Sequence, residues 1–157
     1  MLESLQDFVS GLPTLVQWLG VALIAAIPFV ESYFGSAIGV LSGVHPVAAV
    51  AAAVVGNVAS MLAFVLAADA TRRRATRGRE AAEPTERRQR LKRAFDRWGV
   101  AGVSLLGQTI LPSQITSAAL VGFGASRNAV IAWQIVSIIL WGVLFGVLAS
   151  LGVSVLR

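Results

Sequence analysis

Residues 28–44 read PFVESYFGSAIGVLSGV, and they separate two long apolar stretches of the chain. Glu31 is the only carboxylate within the strongly apolar segments, and three glycines follow it at intervals of four. A carboxylate beside hydrocarbon is costly and needs a partner, a proton or a water-filled cavity. Irregular backbone survives at membrane depth only against protein or a cavity. We therefore interpret this stretch, which Pro28 breaks, as a re-entrant element lining a polar cavity, although the glycines alone also fit simple tight packing.

The composition is that of an integral membrane protein. The 157 residues are 56% hydrophobic and 13% charged, and the mean hydropathy is +0.76. With no cysteine and one histidine, the chain offers no disulfide framework and no cluster of soft metal ligands. Glu31 has no second carboxylate near it, and we find neither a nucleophile with a base nor a phosphate loop. The sequence therefore predicts no enzyme, no cofactor and no metal site.

The net charge of +5 is concentrated in one region. Eleven of the thirteen basic residues lie between Arg72 and Arg97, and the positive-inside rule keeps such a loop cytoplasmic. After Pro84 the apolar residues follow helical spacing, which predicts an amphipathic helix over residues 85–98 on the anionic headgroups of the inner leaflet. The residues predicted to contact this lipid surface are Arg87, Arg88, Lys92 and Arg93. Nucleic-acid binding is disfavoured because no stacking aromatics are interleaved with the basic run.

Three apolar stretches are long enough to be predicted as membrane-spanning helices, near residues 12–30, 46–68 and 128–151. Between them, residues 99–125 are apolar but broken at Pro112, which polar residues follow. We interpret this segment as two half-helices forming a second re-entrant hairpin; one kinked spanning helix is the alternative. The predicted fold is thus all-α, with three spans, two facing re-entrant hairpins and one cytoplasmic amphipathic helix.

The chain is predicted to be a single membrane domain, 1–157, with a weak internal symmetry. Its first half (12–68) and its second half (99–157) each carry a broken segment, and the basic loop with its surface helix (69–98) joins them. Paired broken segments in the two halves of a membrane protein point to a binding site at the midplane. The residues predicted to contact substrate or a proton there are Glu31, Asn57, Gln108, Ser113 and Gln114. We expect Glu31 to be protonated over part of the physiological pH range, and Asn57 could instead bond a neighbouring helix.

Several segments in this order resemble a known family. They read IPFVESYFGSAIG from residue 27, Gly56-Asn57, FDRWGVAGVSLL from residue 95 and ILPSQITSAALVGFG from residue 110. Together they resemble the small multidrug export proteins, which are related to the DedA (VTT-domain, SNARE-associated) superfamily. The resemblance covers roughly residues 20–155 and implies two facing re-entrant hairpins and movement of lipids or lipid carriers, often with proton coupling. DedA relatives carry basic residues flanking the second-hairpin proline, where this chain has Gln108 and Ile115, so phosphate-headgroup binding is not expected to carry over.

Two functions follow as expectations. The first is a small transporter or lipid translocase of DedA-like type, proton-coupled through Glu31, in the bacterial inner membrane. The second is a non-transporting scaffold or accessory subunit of a membrane complex. Membrane lipids are the expected partners, together with a second copy of the chain or another membrane protein. Solvent access to Glu31 separates the two, because a transporter must let water or substrate reach this carboxylate.

Overall fold

The computed structural model describes residues 1–75, 86–107 and 110–155 of the chain. Every regular element in these ranges is helical, as the sequence predicts, and none is a strand. The helices are α1 (Leu2–Ser10), α2 (Gln17–Ala25), α3 (Glu31–Leu41), α4 (Pro46–Ala75), α5 (Glu86–Leu106), α6 (Ser113–Gly122) and α7 (Arg127–Val155), with a 3-10 turn over Thr14–Val16 before α2.

Among the described residues, two helices are long and apolar enough to cross a membrane. These are Pro46–Thr71 within α4 and Arg127–Val155, which is α7. Both coincide with predicted spans. At 1.5 Å per residue, α4 and α7 are each roughly 45 Å long, which exceeds the hydrocarbon thickness of about 30 Å. These two helices are compatible with association of the chain with a membrane.

The predicted span over residues 12–30 is not confirmed. Helix extends only from Thr14 to Ala25, about 18 Å, and then a tight turn leads into α3. Pro28 lacks the amide proton that would continue α2, and it disfavours helical backbone at the preceding residue. The chain reverses here, and α3 packs back along α2.

Glycines allow this close packing of α2 and α3. A Cβ built on Gly35 would lie 2.7 Å from Cβ of Ala25, and one on Gly39 would lie 2.9 Å from Val21. Gly35, near the start of α3, thus faces Ala25 at the end of α2, and Gly39, one turn later, faces Val21, one turn earlier in α2. The two helices are therefore antiparallel. Each is about half as long as the hydrocarbon is thick.

A second pair of short helices surrounds the break at Pro112. Between α5 and α6 the amides of Ile110 and Leu111 donate hydrogen bonds to the carbonyl of Gly107, and the hydroxyl of Thr116 donates one to the carbonyl of Leu111. Gly99, with φ +64° and ψ −169°, sharply divides α5 into an amphipathic part and a short apolar part. The predicted amphipathic helix over 85–98 thus corresponds to residues 86–98 of α5, which end at this kink.

The described residues form two compact units. The first contains residues 1–60 and 138–155, and the second contains residues 61–75, 86–107 and 110–137. In the first unit, a core of Val9, Val21, Ile24, Val30 and Ile38 joins α1, α2 and α3. In the second unit, Arg127 at the start of α7 forms a 3.1 Å ion pair with Asp69 near the end of α4.

Candidate functional site

Glu31 begins α3 on a strained backbone. Its φ is +53°, and that of Phe29 two residues earlier is +73°. These are the left-handed conformations that side chains other than glycine rarely adopt, and each costs of the order of 1–3 kcal/mol. The amide of Glu31 donates to the carbonyl of Ile27 at 3.2 Å, which closes the turn. The hairpin therefore holds its one carboxylate in a conformation that surrounding packing must enforce.

The Glu31 side chain is fully buried within the first unit. The next two serines on α3, Ser32 and Ser36, are also fully buried. The Ser32 hydroxyl donates to the carbonyl of Ile138 on α7 at 2.8 Å, whereas the Ser36 hydroxyl has no hydrogen-bond partner in the described part of the chain. The start of α3 thus carries a buried polar face, which is directed in part at the backbone of α7.

Small residues on α7 allow this approach. A Cβ built on Gly142 would lie 3.2 Å from Cβ of Ser32 and 3.4 Å from the hydroxyl of Ser36. One built on Gly146 would overlap the side chain of Val50 on α4. Gly142 and Gly146 therefore form a packing surface of α7 for α3 and α4.

The end of α2 is held by α4. A Cβ built on Gly56 would overlap the carbonyl of Ala22, and the Ser60 hydroxyl donates to the carbonyl of Ala26 at 2.8 Å. Asn57, between these contacts in sequence, is fully buried. The Ser60 hydrogen bond satisfies a carbonyl that the end of α2 leaves without a helical partner. Asn57 lies in the same unit as Glu31.

The second break also carries buried polar side chains, in the second unit. Ser113, Gln114, Thr116 and Ser117 are all fully buried. The Ser113 hydroxyl lies 3.4 Å from Oε1 of Gln114, and the Ser117 hydroxyl donates to the carbonyl of Gln114 at 3.0 Å. Local hydrogen bonds thus organise the first turn of α6. Gln108, the remaining predicted site residue of this half, lies outside the described residues.

Two residues of α7 were missed by sequence reasoning. Gln134 and Ser137, in the second unit, are fully buried, and none of their side-chain polar atoms has a hydrogen-bond partner among the described residues. Leaving such a group unsatisfied costs about 1–3 kcal/mol. One signal was present in the sequence: Gln134 is the one amide side chain between residues 129 and 155, a stretch whose other polar residues are three serines.

The amphipathic part of α5 is attached to α6 by an aromatic contact. The rings of Phe95 and Phe123 lie 6.4 Å apart between centroids, while Trp98 is 58% exposed with the guanidinium of Arg97 5.3 Å from its ring centre. Arg93, one of the predicted lipid-surface residues, is exposed. The side chains of the other three, Arg87, Arg88 and Lys92, lie outside what the structure describes.

The described residues contain no group of three or more histidine, cysteine, aspartate or glutamate side chains that could hold a metal ion. The buried polar side chains of both units are instead hydroxyls and amides, with Glu31 as the one acid among those that are fully buried in the described ranges. The buried polar residues of the first unit can therefore exchange one proton or balance one positive charge at Glu31, and those of the second unit can form neutral hydrogen bonds.

Comparisons of the chain with protein-family models, with curated proteins and with solved structures give no match.

Proposed function

We propose that the chain is a small multi-pass membrane transporter of DedA-like type in which Glu31 exchanges a proton during transport. The observation that carries the proposal is the position of this carboxylate, which is fully buried on left-handed backbone at the turn of a helical hairpin. Ionisable groups inside membrane segments are costly and usually mark ion or substrate pathways.

The membrane arrangement in this proposal has α4 and α7 as spans and the two pairs of short helices as re-entrant hairpins. Helices about half as long as the bilayer is thick, joined by a proline-containing turn, suit such hairpins. The Asp69–Arg127 ion pair holds the end of α4 beside the start of α7, next in sequence to the basic run. This end is then cytoplasmic by the positive-inside rule, in the inner membrane of a bacterium.

The proposed substrate is a lipophilic molecule, which enters from the bilayer. One buried acid suits exchange of a proton for a lipophilic cation. When the carboxylic acid releases its proton, the positive charge of the bound cation balances the negative charge of the carboxylate. No lysine or arginine lies between residues 98 and 126 to bind a phosphate headgroup. Lipophilic cations are therefore favoured as substrates over polyprenyl-phosphate carriers. Lipid translocation is the alternative, and the experiment below measures it separately.

Transport requires Glu31 to become accessible, although it is fully buried in this structure. In the proposed cycle this structure is the occluded state, and the strained turn at Phe29 and Glu31 is the element that rearranges. A non-transporting scaffold is the second candidate function. The observation that favours it is the same burial, since a fixed structural carboxylic acid needs no access to solvent.

The test uses purified protein in vesicles that contain a pH-sensitive dye. Under an imposed pH gradient we expect tetraphenylphosphonium or ethidium to drive proton movement through the wild-type protein and not through Glu31→Gln. Glu3→Gln, at an exposed acid of α1, is the matched control and should behave as wild type. A fluorescent-phospholipid translocation assay on the same vesicles tests the lipid arm. If both assays give the same rates for wild type and Glu31→Gln, proton coupling is wrong and the scaffold function becomes the better account.

A further inference from the structure

Gln134 and Ser137 are buried polar residues that the proposed mechanism has not yet used. They lie three residues apart on α7, so their side chains are neighbours on one helix face. Both are fully buried. The amide nitrogen and oxygen of Gln134 and the hydroxyl of Ser137 have no hydrogen-bond partner in the described ranges.

This lack of partners, which Ser104 of the same unit shares, distinguishes the pair from other buried polar residues of that unit. Thr116 and Ser117 donate to backbone carbonyls at 3.3 Å and 3.0 Å. On the same helix, the hydroxyl of Ser150 donates to the carbonyl of Gly146 at 2.7 Å. Buried polar atoms in native proteins nearly always have a partner, in protein or solvent. If the pair served to join α7 to another helix, its polar atoms would form hydrogen bonds with that helix, and they form none with the residues that the structure describes. The unsatisfied atoms therefore point to a binding partner outside the chain.

We propose that Gln134 and Ser137 form a binding site for a neutral hydrogen-bonding group, such as a hydroxyl, an amine or a water molecule. The inference rests on the proposed transport function and adds a specificity site to it. The amide of Gln134 offers both donors and an acceptor, and the hydroxyl of Ser137 offers one donor and acceptor capacity. No charged residue lies between residues 128 and 155, and Arg127 at the start of α7 is already paired with Asp69, so a bound ion would find no free counter-charge on this helix.

The two sources of such a group, substrate and water, are separated by the choice of probe. Ethidium carries aromatic amines that donate hydrogen bonds, whereas tetraphenylphosphonium carries no donor or acceptor. In the vesicle assay, Gln134→Met should weaken the apparent affinity for ethidium by about fivefold to tenfold, as expected for loss of one or two hydrogen bonds. The affinity for tetraphenylphosphonium should stay unchanged if the site binds the substrate. If the site binds water that serves every substrate, both affinities should fall.

Ser137→Ala should reduce ethidium affinity less than Gln134→Met does, because it removes one hydroxyl. Ser150→Ala is the matched control on the same helix and should have no effect. Thermal unfolding of each variant checks folding; replacing an unsatisfied amide by an apolar side chain of similar shape should leave the protein at least as stable. If Gln134→Met leaves the affinities for both probes unchanged, the binding site is wrong and the proposed function still stands. The proposed function is tested separately, by comparing proton movement in wild type and Glu31→Gln.

A second measurement tests the site without any transport. The chain has no cysteine, so a single introduced cysteine is the only thiol. We expect Gln134→Cys and Ser137→Cys to react with a small water-soluble methanethiosulfonate in vesicles. Val130→Cys should not react, since Val130 is equally buried and apolar one turn earlier on α7. If the cysteines at 134 and 137 are as unreactive as the one at 130, no polar molecule reaches this face and the proposal is wrong.

Discussion

At the scale of single residues, backbone geometry distinguishes two kinds of position. Gly43, Gly99 and Gly124 have positive φ and meet it without strain, because glycine has no Cβ. Phe29 and Glu31 have positive φ with side chains attached. The strain at these two residues is therefore a property of the candidate site and not of the loops in general.

Gly56 tests the close contact between α4 and α2. A Cβ at this position would overlap the backbone carbonyl of Ala22, which cannot move aside as a side chain can. We expect Gly56→Ala to lower the free energy of unfolding by about 1–3 kcal/mol or more, because the two helices must separate. Thermal unfolding in detergent, followed by circular dichroism, measures the change.

Gly152→Ala is the control for that substitution. A Cβ at Gly152 would have no neighbour within 4 Å, so alanine should be neutral or should stabilise α7 by up to about 1 kcal/mol. Equal unfolding temperatures for the two variants would contradict the described packing of α4 on α2.

At the scale of elements, the sequence predicts the long helices well and the first hairpin poorly. Lengths of apolar sequence suffice for α4 and α7, and Pro112 and Gly99 mark real breaks. Apolar composition cannot show that α2 stops at Ala25. The chain reverses after α2 through a turn in which Phe29 and Glu31 have positive φ, and this strained turn depends on the packing of α3 against α2. Gln134 was missed for a related reason: a single polar residue in an apolar helix has no periodicity, and its burial depends on tertiary packing.

The contact of α3 with α7 can be tested by a crosslink. Cβ of Ser32 lies 3.2 Å from a Cβ built on Gly142, close to the separation that a disulfide requires. We expect the double variant Ser32→Cys with Gly142→Cys to form a disulfide under mild oxidation. Trypsin cleavage in the arginine-rich residues 72–97 would then leave the two fragments joined on a non-reducing gel.

The matched control combines Ser32→Cys with Gly152→Cys, whose position has open space around it. This pair should separate into two fragments after the same treatment. Crosslinking of both pairs to the same extent would mean that the reaction does not depend on the α3–α7 contact.

At the scale of the whole molecule, the charge distribution predicts topology. The basic run between Arg72 and Arg97 should face the cytoplasm. A cysteine introduced at Gly78 should resist a membrane-impermeant maleimide in intact cells and react after the membrane is opened. Reaction in intact cells, with an internal cytoplasmic thiol protein remaining unlabelled, would reverse the proposed orientation.

The central claim is that Glu31, at the turn of the hairpin, gains and loses a proton during the transport cycle. Difference infrared spectroscopy of the purified protein in lipid tests it most directly, because a protonated carboxyl and an ionised one absorb at different frequencies. We predict that adding tetraphenylphosphonium to wild-type protein converts a carboxylic acid band to a carboxylate band, and that Glu31→Gln abolishes this change while Glu3→Gln retains it. A difference spectrum that is identical in wild type and Glu31→Gln would contradict the claim.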